Sequence, residues 1–459
     1  MAETACVEWI LTDDKSSLLQ TLLGKLPESA ASKLAQAIEM DRLMDGRELP
    51  HDVILRGLRP SLSQSSRTLT PLRLFCQPFE DLLDSGARKA KHKAVIARAS
   101  VVPVWNWVST VLLSDESQAF SRTTKALILS GKPDDALTRT RPFWSIAGAA
   151  MRAALDLDET AKHLGAGEIA DAREMALLLS EGEEMEKVQS RLPKPLPHLT
   201  EDILWQLRES YDALIVRNPD VAPFVAVVAM NRLQRPWEAL RLPMMVSRQT
   251  SDALISKTDM GLVGEILFAR MDGMKAAIMA ARHPTFDPDM LVTQVGGFAE
   301  LSSAVVKEIE VRRNGEWGQR LLKDRAAIGE VMDGFMDRVA KEFGAALPMY
   351  KGSADFSRAV PAEKRALALN YARLVAGTRH FAAAGSFAAR HRTALEEISN
   401  HLRRYVEDGI RELRGSSGEK RVTIESQLNY GADIAAILVS NEESELIRRR
   451  LRAAQAAAA

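Results

Sequence analysis

Apolar positions recur along most of the chain at spacings of three and four, and strict alternation is scarce. Leu18, Leu19, Leu22, Leu23 and Leu26 fall on one helical stripe. Ile203, Leu207, Tyr211 and Leu214 form a second, and Ile328, Met332, Phe335, Val339 and Phe343 a third. Each stripe predicts an amphipathic helix with one buried face. Start signals agree with this pattern. Asp287-Pro288-Asp289 and Asn218-Pro219-Asp220 each offer a side-chain acceptor, a proline for the first helical position and an acid for the positive first turn. Thr200-Glu201-Asp202 does the same without proline. The expected fold class is therefore all-α, either a multi-helix bundle or an irregular α-solenoid-like array, with a long C-terminal helix.

Breaks in the pattern divide the chain. An N-terminal helical segment is expected over 1–60 and a helical domain over 61–192. The alternating prolines of Pro193-Lys194-Pro195-Leu196-Pro197 predict an extended linker, with a second domain over 193–350. From Pro361 to Arg414 no proline intervenes, so one long helix is expected, bent near Gly377 or Gly385-Ser386. Gly415-Ser416-Ser417-Gly418 sets off a terminal helical segment over 422–454. Within the long helix Leu395, Ile398, Leu402 and Tyr405 keep coiled-coil spacing for only two heptads, too few for a coiled coil. Pro103-Val104-Trp105, Pro142-Phe143-Trp144 and Pro236-Trp237 each place a tryptophan just behind a proline, the way helical repeat units often begin, but at unequal spacings.

Composition narrows the picture further. The 459 residues are 46% hydrophobic with 26 glycines and 19 prolines, which suits a packed core and excludes a disordered or collagen-like chain. The acids Glu3, Glu8, Asp13 and Asp14 stand where a secretory signal needs basic and then apolar residues, and only Cys6 and Cys76 are present. A cytoplasmic location without a transmembrane segment is the expectation.

Motifs that would fix a reaction are weak. Asp156-Leu157-Asp158-Glu159-Thr160 has the D-x-D-x-T form of phosphoaspartate chemistry, but the residues before it are poor strand formers. His51-Asp52 has no upstream histidine with which to share a metal. Glu159 and His163, like Glu397 and His401, are four apart where di-metal bundles use Glu-x-x-His. His380, His391 and His401 are spaced about three turns apart on the expected long helix and so cannot share one ion. Gly296-Gly297 sits inside a helical pattern and reads as a close helix approach or a kink. No catalytic, cofactor-binding or metal-ligating residues are therefore assigned, and no cofactor is expected.

Charge is more informative. Lys plus Arg and Asp plus Glu each number 61, so the total cancels. It cancels between blocks: Gly86–Ser114 carries Arg88, Lys89, Lys91, His92, Lys93 and Arg98 with no acid, whereas Glu168–Glu186 carries seven acids against Arg173 alone. The basic block, followed by Trp105 and Trp107, is the candidate partner-binding surface, with a solvated loop and core tryptophans as its ordinary reading. The two blocks are also able to meet, within one chain or between copies. The functional expectation is a cytoplasmic helical scaffold, adaptor or regulatory protein-interaction module, binding a protein partner or itself. An enzyme with a site assembled between helices and a phosphate or nucleic-acid binder using residues 88–98 are the alternatives. Nucleic acid and peripheral membrane are the less favoured partners.

Overall fold

The computed structural model describes residues 19, 22–23, 26–43, 51–58, 69–85, 91–312 and 315–457. The chain is all-α, 77% helical, and divides into two compact units at Gln234/Arg235.

The first unit opens with α1 (Glu28–Leu43) and α2 (His51–Leu58), which share a small core of Leu23, Ala31, Ala35 and Leu58. After α3 (Pro71–Cys76) and one tight turn, β1 (Leu83–Asp84) pairs in parallel with β2 (Ile96–Ala97). The helices α4 (Val101–Trp107), α5 (Ser114–Leu129), α6 (Pro133–Ala154), α7 (Ala166–Ser180), α8 (Gly182–Arg191), α9 (Glu201–Arg217) and α10 (Phe224–Arg232) follow. The α6–α7 approach is close because Gly148 lies on it: a Cβ there would sit 2.9 Å from the Ala176 carbonyl. Trp144, fully buried on α6, donates its indole N–H to the Leu74 carbonyl at 2.9 Å. An aromatic group of Phe75, Trp105, Phe120 and Phe143 completes this core, Phe120 stacking on Phe143 at 4.3 Å.

The second unit runs through α11 (Arg241–Ser247), α12 (Asp252–Ile255), α13 (Leu262–Ala280), α14 (Pro288–Glu308) and α15 (Glu316–Ala346) to the hairpin β3 (Met349–Tyr350) and β4 (Ser353–Ala354). It closes with α16 (Ala362–Thr378), α17 (Ala388–Leu413), α18 (Gly418–Leu438) and α19 (Asn441–Ala457). Neighbours in sequence mostly pack together: α13 on α14, α17 on α18, α18 on α19. The stripe of Ile328, Met332, Phe335, Val339 and Phe343 is buried along α15, as its spacing predicts. Gly296 and Gly297 mark a close approach, since a Cβ on Gly296 would press on the Phe381 ring at 2.9 Å.

Several boundaries differ from those read in the sequence. Pro193–Pro197 is not where the units divide. Leu196 is buried, donates to the Arg232 carbonyl at 2.8 Å and accepts from Gln234 N–H at 2.9 Å, so this extended stretch belongs to the first unit. The expected helix from Pro361 to Arg414 is two, α16 and α17, parted by turns over 379–387 in which Ser386 takes a positive φ of 66°. The terminal segment is likewise two helices, parted at Val439-Ser440. Thr200 and Asp287 cap helices as their sequence predicts, Asp287 accepting from the Asp289 and Met290 amides. Asn218 instead ends α9, and the next helix waits until Phe224, after Pro223. Pro142 lies inside α6 rather than at its start, so the three Pro–Trp pairs do not mark equivalent helix beginnings.

Candidate functional site

The basic candidate segment folds onto the acidic one, 83 residues later in the chain. Residues 92–95 turn sharply, with Ala94 at a positive φ of 63°, and this aims the Lys91 side chain back under its own loop. There the ammonium meets Asp171 at 2.9 Å and Glu174 at 2.6 Å, both on α7, and donates to the Val95 carbonyl at 2.7 Å. The carboxylates also take donors from the loop backbone. Ala94 N–H reaches Glu174 at 3.0 Å, Ala97 N–H reaches Asp171 at 3.1 Å, and the Ser100 hydroxyl reaches Asp171 at 2.7 Å. The Asp171 side chain is 0% exposed, so its charge depends on protein donors, these and Lys91 among them.

Glu174 feels the burial. Desolvation pushes its carboxyl above the ordinary carboxylate range, against the pull of Lys91 and the Ala94 amide, and the charge of Asp171 adds to the rise. A raised folded-state value means that ionising Glu174 weakens the fold. Its contribution is complete below the ordinary glutamate value and is lost as pH rises through the folded-state value. The stability gap between wild type and Glu174→Gln should therefore shift in favour of wild type as pH falls from neutral toward about 4. Denaturant unfolding of both proteins across that range checks the sign; a pH-independent gap would contradict it.

Of the other candidates, His92 and Lys93 are exposed at the tip of the turn. Arg98 is exposed and donates to the Ser85 hydroxyl at 3.0 Å. Arg88 and Lys89 lie outside the described residues. Trp107 is buried, and Trp105 leans on Phe75 at 5.0 Å, so both indoles belong to the core under the loop. Any surface at 91–98 is thus presented by His92, Lys93 and Arg98, while Lys91 closes the loop onto α7.

A second buried polar network ties the first unit together. Asp81 pairs with Arg232 at 2.7 Å and Lys194 at 2.6 Å, and Arg232 also donates to the carbonyls of Gln189 and Leu192. In the second unit Asp252 accepts from the Arg312 and Gly318 amides at 3.1 and 3.4 Å, anchoring the start of α15.

The histidines singled out in the sequence serve the backbone. His391 lies 2.7 Å from the Val375 carbonyl and His401 2.7 Å from the Leu347 carbonyl, each bracing a helix against the preceding segment. His51 contacts Asp41 at 2.7 Å. Asp156 pairs with Arg173 at the surface, on the turn that joins α6 to α7. His283, which periodicity could not single out, lies between Tyr371 Oη at 3.0 Å and Glu342 at 3.6 Å. Tyr371 is fully buried against Phe286 and Phe335, and burial together with the Glu342 charge pushes its phenol up to about 12. The group braces the 281–287 loop against α15 and α16.

Among the described residues no three His, Cys, Asp or Glu side chains converge as a metal site, and no helix is long and apolar enough to cross a membrane. Protein-family models, curated proteins and solved structures yield no match to this chain.

What the arrangement leaves open to a partner lies elsewhere. On α9, Leu207, Tyr211 and Leu214 face inward while Trp205 stands 59% exposed and Val216 84% exposed on the opposite side. Positions 205 and 216 are eleven apart, three helical turns, and so share one face. Sequence reading found the buried stripe of this helix; the exposed Trp205 was visible only as the residue that the stripe left out.

Proposed function

We propose that the chain is a cytoplasmic helical scaffold or adaptor that binds a protein partner through helix faces and carries no catalysis of its own. The observation that supports this most is the outer face of α9, where a tryptophan and a valine stand exposed. Large aromatic side chains are the usual anchors of protein interfaces, because one ring buries much area for little lost rotamer freedom. The reading is also favoured by where the chemistry-bearing groups sit. Lys91, Asp171, His391 and His401 are each engaged in holding one segment to another.

The test uses the intact chain immobilised against a lysate of its source cells, wild type beside a Trp205→Ala, Val216→Ser variant with matching circular dichroism. A co-purifying protein is expected at fixed stoichiometry, binding about tenfold more weakly to the variant when reconstituted from purified components, the scale of one truncated aromatic anchor. Absence of any stoichiometric partner, or equal binding by the variant, would remove the basis for this reading.

A further inference from the structure

We draw no further inference here: the strongest candidate, the outer face of α9 on which Trp205 and Val216 stand exposed, already carries the function proposed above, and nothing in the structure shows what covers it.

Discussion

Replacing Lys91 with methionine is expected to cost about 3 kcal/mol, toward the low end for breaking a buried ion pair because the lysine side chain keeps 24% exposure. The loss has a definite origin. Two carboxylates on one face of α7, Asp171 with 0% side-chain exposure, would lose the Lys91 ammonium that both contact. The loop would also lose its tie to the Val95 carbonyl. Methionine retains most of the aliphatic stem, so packing is largely preserved and the change reports on charge. If this account is right, adding Glu174→Gln recovers a substantial part of the loss, since Asp171 still accepts from Ala97 N–H and the Ser100 hydroxyl. Urea unfolding of the full chain gives the magnitudes, and amide hydrogen exchange over 91–112 and 166–180 assigns them to the first unit. Losses that simply add in the double variant would mean that Lys91 and Glu174 do not act on each other.

This pair also shows what a single sequence can and cannot disclose. That Lys91 lies in a basic block and Glu174 in an acidic one is plain from composition along the chain. That the two blocks meet within one chain depends on the turn at Ala94 and on the packing that fixes α7, neither of which has a local signature. The same division holds for the fold. Amphipathic spacing identified α9 and α15 because each buries one stripe and leaves the other side wet. It said nothing of where α10 begins, because Phe224–Met230 is buried all round and has no polar side to set a phase. Proline was read as a boundary wherever it fell. Pro142 nonetheless sits inside α6, and the Pro193–Pro197 stretch is drawn into the first unit by hydrogen bonds to Arg232 and Gln234. Long-range backbone pairing of that kind overrides local composition.

The candidate surface was legible in part for a related reason. A basic run can be read from the sequence, but whether a lysine points to solvent or to an acid depends on the helix beneath it. Trp205 escaped notice because one aromatic on the polar side of an amphipathic helix does not disturb its periodicity. Its exposure distinguishes it from the core tryptophans Trp107, Trp144 and Trp317.

In the second unit the largest effect is expected where α13 meets α15. Trp317 is fully buried, its ring 5.8 Å from Phe268, and its indole N–H donates to Glu265 at 3.0 Å. The ring fits because position 264 is glycine: a Cβ there would lie 2.1 Å from the Trp317 ring carbon Cζ2 and 2.2 Å from Cη2. A six-membered ring of a buried indole cannot move aside by that much without giving up the Glu265 hydrogen bond. Gly264→Ala should therefore destabilise by about 3 kcal/mol, the upper part of the range for overfilling a packed core, even though alanine is the better helix former. Trp317→Ala should cost about 3–5 kcal/mol through the cavity it opens and the indole hydrogen bond it removes. The two losses should not add. Once the ring is gone, the methyl at 264 enters space that the ring occupied, so the double variant should be no less stable than Trp317→Ala alone. A double-mutant cycle by urea unfolding decides this. Additive losses would show that the strain of Gly264→Ala lies in the helix backbone, whereas a coupling of about 3 kcal/mol in the compensating direction would place it in the contact between these two residues.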